Sequence, residues 1–403
     1  MTTQSNTSYP DFSSPHKEWP IRPARYFLKQ KSVNVGNAWG ETQLLSLTKS
    51  GVIDRDIDSG VGKYPASFEG YQVVERGDLV FCLFDVEETP RTVGLVKIRG
   101  MITGAYTAYS VDTEKADPRF LEYLFVSLDD DKRFKPFYSG LRNTIPKNAL
   151  TGSRFSLPPV AEQTAIAAFL DREVGAIDNL LEKQQQLIET LAVRRKALLR
   201  EVFSGKLGLT LTGYEISWKT MRLGLLAKNI EVKSSSVTAV SLEHIQSHTG
   251  MLIAGPELTE AVAGTEFREG DVLFGKLRPY LGKAYAAEFA GVAVGDIHVY
   301  RTNQLLPSFL KYWLISPTTL ELINSSTYGT KMPRANWDQI KMLEVKFPPI
   351  ESQKFIVDHL NAYLKRELLV SEKTVAASRL LSERRAALIA AAVTGKVDVW
   401  GKN

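Results

Sequence analysis

The 403-residue chain predicts an α+β fold. Two related domains, each a curled β-sheet with short helices, are expected to be joined by two long helices that pair as an antiparallel coiled coil with internal pseudo-two-fold symmetry. Three observations predict it: a 51-residue segment that occurs twice, a heptad seam running through that segment, and short β-rich stretches punctuated by Gly, Pro, Asn and Asp on either side of it.

The repeat comes first. Residues 157–207 lie over 347–397 at a constant offset of 190 with no gap, from 157-LPPVAEQTAIAAFL-170 over 347-FPPIESQKFIVDHL-360 to a Gly-Lys pair at the end of each. Fourteen positions are identical: Pro158, Pro159, Gln163, Ile166, Leu170, Glu182, Lys183, Leu191, Arg194, Arg195, Ala197, Leu198, Gly205 and Lys206. Composition alone gives roughly three. The spacing far exceeds the period of solenoid repeats, so the duplicated unit is a domain. Upstream the match weakens: 76-RGDLVF-81 answers 269-EGDVLF-274, 120-FLEYLF-125 answers 309-FLKYWL-314, and 138-YSGLRNTIP-146 answers 328-YGTKMP-333 with a small deletion. The expected order is a domain over 1–156, a helix over 157–207, a second domain over 208–346 and a second helix over 347–403.

Within the first repeat, positions 163, 167, 170, 174, 177, 181, 184, 188, 191, 195, 198 and 202 alternate steps of three and four and are mostly apolar. That is a coiled-coil seam, bounded by paired prolines before it and Ser204-Gly205 after it. A helix from about Ala161 to Ser204 is on the order of 65 Å long, too long for a domain of this size to bury. The second helix, about 351 to 394, is the available partner, although Ser371, Thr374 and Ser378 make its middle more polar. Strands are expected at stretches such as 79-LVFCLF-84, 292-VAVGDIHVY-300 and 343-LEVKF-347.

Composition excludes more than it assigns. A net charge of +5 and a pI near 9.0 permit a nucleic-acid partner without demanding one. One cysteine, Cys82, allows neither an intrachain disulfide nor a multi-cysteine metal site, and points to a reducing cytoplasm. A polar N-terminus and the lack of a run of about 18 apolar residues point away from secretion and from a membrane span.

The order of these parts resembles the specificity subunits of Type I restriction-modification systems. The strings that carry the resemblance are 158-PPVAEQTAIAAFLD-171, the Gly-Lys pair after each helix, 240-VSLEHI-245 and 270-GDVLFGKLRPYLGK-283. It implies a protein without a catalytic centre, whose two target-recognition domains each read half of an asymmetric, bipartite DNA sequence while the helices set the gap. It further implies two methyltransferase subunits that bind S-adenosylmethionine and methylate adenine, and restriction subunits that use ATP and Mg. The chain itself needs no cofactor and no metal on this reading. Two departures stand out: Ser352 replaces the Glu162 of the first helix, and the basic cluster Lys276, Arg278, Lys283 has no direct counterpart in the first domain.

Candidate DNA contacts follow. In 274-FGKLRPYLGK-283, Lys276 and Arg278 are two apart on an expected strand and so share a face, Pro279 ends the pairing, Tyr280 offers a ring or hydroxyl, and Lys283 adds charge. Arg278 suits a bidentate contact to guanine or a phosphate clamp. The loop 329-GTKMPRANW-337 offers Lys331 and Arg334, and its equivalent offers Arg142, Asn143 and Lys147. The first domain adds Lys49, Arg55 and Lys63. Ordinary turns and solvated strand edges have the same composition, and that reading stands beside each. The 60-GVGK-63 string is not a phosphate-binding loop, because the first glycine and the final Ser/Thr of that pattern are missing. His244 and His248 lack a third ligand for a metal. Gln163 and Gln353 at the helix starts, with Arg194, Arg195, Arg384 and Arg385 near the helix ends, are assigned to subunit contacts. The alternatives are helix-end charge or pairing across the helices, since Arg195 and Arg385 fall on the seam.

A self-sufficient methyltransferase needs a cofactor loop and an [ND]PP[FYW] tetrapeptide, and a nuclease or ATPase needs a phosphate loop. None is present in the sequence. A coiled-coil adaptor without DNA specificity is the competing account, and it leaves two large related domains unexplained. On the DNA-reading account, two heads on antiparallel rods meet one duplex about one helical turn apart, roughly 10 base pairs.

Overall fold

The computed structural model describes residues 9–14, 18–56, 67–89, 91–204, 217–253, 257–327, 331–397 and 399. The chain divides into two compact units, Met1–Lys183 with Ala377–Asn403, and Gln184–Ala376, so each unit takes part of both long helices.

The first unit centres on an antiparallel sheet of β1 (Leu28–Lys31), β2 (Leu79–Phe81), β3 (Val93–Leu95) and β4 (Thr107–Val111), in the order β1-β4-β2-β3. Side chains alternate across it. Leu79 and Phe81 join a core with the helix α1 (Pro118–Asp130), whereas Val80 joins a second cluster with Leu45, Val52, Val74 and Ile102. With apolar layers on both faces, β2 is buried throughout, and its continuous hydrophobic run is the physical consequence. After α1 come the short helix α2 (Lys147–Gly152) and the long helix α3 (Val160–Phe203).

The second unit repeats the plan. Its sheet, β5 (Ala227–Ile230), β6 (Asp271–Gly275), β7 (Ala284–Ala286) and β8 (Ile297–Thr302), has the order β5-β8-β6-β7. Val272 and Phe274 face one cluster and Leu273 faces another with Val240, Ile245 and Phe267. Even the pairing is preserved, Leu79 opposite Tyr109 in one sheet and Val272 opposite Tyr300 in the other. Beyond a single helical turn at Leu223–Leu226, the helices are α4 (Pro307–Ile315), α5 (Pro317–Ser325), α6 (Trp337–Ile340) and the long α7 (Ile350–Val393).

The expected seam is where α3 is least exposed. Gln163, Ala167, Leu170, Val174 and Ile177 are buried and the next six seam positions are half-buried, while their flanks face solvent. Within the first unit, Ile166, Ala167, Leu170 and Val174 share a core with Ile389, Ala392 and Val393 of α7. Within the second, Leu199 and Val202 share one with Ile356, Val357, Leu360 and Leu364. In both, one end of α3 meets the opposite end of α7, so the helices run antiparallel. Thr374, the polar seam residue, is accommodated by turning its hydroxyl back to the Val370 carbonyl at 2.8 Å.

One buried side chain fixes each head to its helix. Gln163 Nε2 donates to the Pro158 carbonyl at 2.8 Å and to Lys115 at 3.3 Å, while its Oε1 accepts from the backbone N–H of Asp117, the residue that caps α1. Gln353 makes the same three bonds to Pro348, Gln304 and the N–H of Leu306, which precedes α4. The expectation that these glutamines meet other subunits is corrected: they are 0% and 1% exposed, and both ends of each amide are occupied within their own unit. Replacing Gln163 by Ala orphans a buried N–H and two carbonyls, so urea unfolding should show a loss of about 3 kcal/mol. A change below about 0.5 kcal/mol, the range of an ordinary surface substitution, would remove the clamp from the account.

Candidate nucleic-acid interface

The regular strand in the second head ends at Gly275, before either expected cation. This corrects the reading of Lys276 and Arg278 as strand neighbours on one face. The chain instead leaves the sheet to pair with the loop before α6. The N–H of Ala335 donates to the Lys276 carbonyl at 2.9 Å, and the N–H of Arg278 donates to the Pro333 carbonyl at 2.8 Å. That exchange joins two candidate segments, far apart in sequence, into one basic patch. Asp296 organises it: its carboxylate lies 3.9 Å from Lys276 Nζ and 3.0 Å from an Arg334 guanidinium nitrogen. Beneath the patch, His298 Nε2 sits 3.3 Å from the Ala335 carbonyl, and burial lowers its imidazolium pKa.

Arg278 has φ +49°, in the left-handed region, where a non-glycine residue is strained by on the order of 1–2 kcal/mol. Pro279–Leu281 then form a single 3-10 turn. The strained backbone projects Arg278 from the turn, exposed and, among the described residues, without a side-chain hydrogen bond or ion pair. Lys331, three residues before Arg334, is likewise exposed.

The first head builds the same device from different residues. Here the Ile145 N–H donates to Leu83 at 2.8 Å and the Asp85 N–H donates to Arg142 at 2.7 Å. Asp85 has φ +48° and accepts from Glu88 N–H three residues on, as Arg278 accepts from Leu281. Asp85 therefore occupies the position of Arg278, and Ile145 that of Ala335. This shifts the sequence alignment of the two loops: Pro146 corresponds to Asn336 at the following helix start, not to Pro333. The cation now comes from the other arm of the ladder. Arg142 grips Asp85 through Nε and Nη2 and lies over the Phe84 ring, its charge centre 4.9 Å from the centroid. Its Nη1 edge has no partner among the described residues, and two-thirds of the side chain is exposed.

The remaining candidates separate. Lys147 opens α2 and lines a polar groove with Gln30, Lys31, Gln72 and Tyr106. Lys49 is exposed at the tip of the hairpin formed by Leu45–Thr48 and Gly51–Asp54, and Arg55 follows that hairpin, half-buried. Lys283 is corrected: its amine donates to the Leu242 carbonyl at 2.5 Å and serves the fold. Tyr280 is exposed on a groove with Lys196, Arg200 and His248, whereas Lys276 is tied to the Asp296 patch. His244 closes a capping turn with Ser241. Lys63, the Gly205-Lys206 pair and residues 328–330 lie outside the described residues.

The helix arginines divide by face. Arg195 pairs with Glu367 at 2.7 Å across the helices of the second unit, both side chains largely buried, and Arg385 pairs with Asp178 at 2.8 Å in the first. Burial of the Glu367 carboxyl raises its pKa in spite of Arg195. Arg194 and Arg384 are exposed. Sequence reasoning missed Asp85, Phe84 and Asp296, because their significance lies in a pairing with distant loops. The GD strings give no sign that Asp296 serves two cations.

The family model described as the Type I restriction modification DNA specificity domain matches residues 251–375, which include both arms of the second ladder. The Type I restriction enzyme EcoDI specificity subunit of Escherichia coli is 25% identical over 295 residues, covering 63% of this chain. That match spans 65% of the relative's own length, just under two thirds. A chain solved in a study of complex assembly and conformational transition of the type I R-M system covers 97% of this chain and 100% of its own at 16% identity, with TM-score 0.67, a likeness of fold. The HsdS subunit of Thermoanaerobacter tengcongensis covers 98% of this chain and 100% of its own, at 16% identity and TM-score 0.49.

The Asp85–Arg142 contact has a pH signature. The Arg142 guanidinium holds the Asp85 carboxyl below its ordinary pKa of 3.8. A depressed folded pKa means that the pair is intact above the ordinary carboxyl range and is lost as pH falls through the lowered value. In a carboxyl-carbon NMR titration, Asp85 should titrate below 3.8 in the wild type and return towards 3.8 in Arg142→Gln. Equal values would break the assignment.

Proposed function

We propose that the chain is a Type I restriction-modification specificity subunit, a reading supported by the family-model match and the Escherichia coli relative, and that it is the non-catalytic subunit that reads DNA for such a complex. Each head reads one half of an asymmetric, bipartite duplex sequence, and α3 and α7 set the number of unread base pairs between the halves. The partners are double-stranded DNA, two methyltransferase subunits that carry S-adenosylmethionine, and restriction subunits that carry ATP and Mg, in the cytoplasm. The chain supplies sequence recognition and assembly, and the partners supply the reactions.

The observation that carries this reading is the duplicated ladder with diverged side chains. Both heads hold a strained, left-handed residue at the same turn, one an exposed arginine and the other an aspartate that aims an arginine from the facing loop. Strain of this kind concentrates at functional positions. An arginine fixed at its stem with a free N–H edge suits the paired acceptors of guanine, whereas mobile lysines such as Lys331 suit phosphate. Two heads with one scaffold and different tips account for an asymmetric target better than for a palindrome.

Selection of binding sites from random duplexes by the full chain with its methyltransferase partner tests the reading. Two specified blocks with a fixed gap are expected. Arg278→Ala should relax one block at a cost of about 1–3 kcal/mol for the contacted base pair, and Arg142→Ala should relax the other. Uniform weakening of both blocks by either change would make these phosphate contacts and sink the base-reading role. Lengthening α3 and α7 together by one heptad should alter the gap and leave both blocks unchanged. An altered block with an unaltered gap would overturn the helices as spacer.

A further inference from the structure

The duplication places ionisable residues of opposite sign, one half-buried and one buried, at one equivalent position. Glu122 in α1 corresponds to Lys311 in α4, as the next residues show: Tyr123 donates to Asp171 at 3.0 Å, and Tyr312 donates to Asn361 at 2.5 Å, at matching sites on α3 and α7. Glu122 is satisfied internally, because its carboxylate accepts the Leu95 N–H at 3.1 Å. Lys311 is not. It is only 8% exposed, and among the described residues its amine has no hydrogen bond or ion pair; the face of the Tyr312 ring lies 4.1 Å away, and the Glu288 carboxylate acts on the amine through space alone.

The fold makes deliberate room for this lysine. Gly250, at φ +72°, passes its stem so closely that an added Cβ would lie 2.6 Å from Lys311 Cδ. The stem ends at a groove of about 580 Å³ with apolar walls that include Leu252, Phe289 and Leu364, and polar groups from Ser308, Asn361 and Lys365. Asn361 Oδ1 is taken by Tyr312, which leaves its amide N–H groups available. Burial pushes the Lys311 ammonium down to about 8. A buried cation with no carboxylate in contact is costly, and an anion that enters the groove and bonds the amine recovers part of that cost.

We infer that this groove is a binding site for a carboxylate on an apolar body, supplied by a free carboxylic acid or by an acidic side chain of a partner protein. A single buried amine matches a monoanion. Glu288, which also lines the groove, repels any anion and opposes a phosphate dianion about twice as strongly as a carboxylate, which favours the monoanion. The inference is independent of the DNA-reading assignment, since it concerns neither ladder.

Fluorine NMR of the full-length chain tests it. Line broadening of 4-fluorophenylacetate by the wild type is expected, with a dissociation constant on the order of 1 mM. Binding should weaken at least about tenfold in Lys311→Met, a variant of similar volume whose fold is checked by its melting temperature. A short fluorobenzoyl peptide with one central Glu forms the second arm. Broadening of the free acid assigns a small carboxylic acid, and broadening of the peptide alone assigns an acidic side chain. No broadening of either, or equal binding of neutral 4-fluorophenylacetamide, overturns the inference. Should Lys311→Met fail to fold, protection of Lys311 from trace acetylation by phenylacetate in the wild type decides instead, with unchanged labelling counting against the site.

Discussion

The arrangement of each head on its long helix depends on one buried amide. Two prolines in succession leave the chain short of donors just where α3 or α7 begins, and their carbonyls still need partners. Gln163 and Gln353 solve this by donating backwards to Pro158 and Pro348 while accepting from the residue before α1 or α4. A helix of the head and the long helix are thereby held at one fixed relation. Every tip that extends from the sheet inherits that relation. The repeat preserves the device although most surrounding residues have changed.

On that common frame, two of the many differences between the heads are reversals of charge. Asp85 stands where Arg278 does, with the same left-handed backbone, and Glu122 stands where Lys311 does. Neither exchange disturbs the sheets, because the ladder bonds are backbone bonds and the cores keep their apolar residues on alternate faces. The scaffold thus separates folding from recognition: helix starts, sheet register and seam maintain the shape, and turns beyond the last strand residue are free to vary. Charge on the seam is held differently. Arg195–Glu367 and Arg385–Asp178 both lie across the helix pair; in the first, which is largely buried, removing one partner costs more than the pair adds, whereas the second is half-exposed and contributes little.

How much was legible in the sequence follows from the range of the interactions. The seam depends on neighbours three and four residues apart, and the long helices fall at Val160–Phe203 and Ile350–Val393 against an expected 161–204 and 351–394. The duplication was equally legible, since it rests on ungapped identity. The tips were not. Asp85 and Arg142 are 57 residues apart, and the loop that supplies Arg334 lies beyond three strands and two α-helices from Arg278. Strand propensity extends naturally through GKLR, and only pairing with a distant loop ends the strand at Gly275. The glutamines were singled out for the right conservation of pattern and the wrong partner, because a polar residue on a helix start reads as surface until the prolines before it are seen to need it.

The central claim is that this chain chooses which DNA is modified. Co-expression with a methyltransferase encoded beside it, followed by single-base mapping of adenine methylation across the host DNA, tests that claim most directly. The account predicts one asymmetric motif of two short blocks separated by a constant gap, absent when this chain is omitted. Methylation that is unchanged without the chain, or that follows no bipartite motif although the two proteins form a stable complex, would contradict it and leave an adaptor.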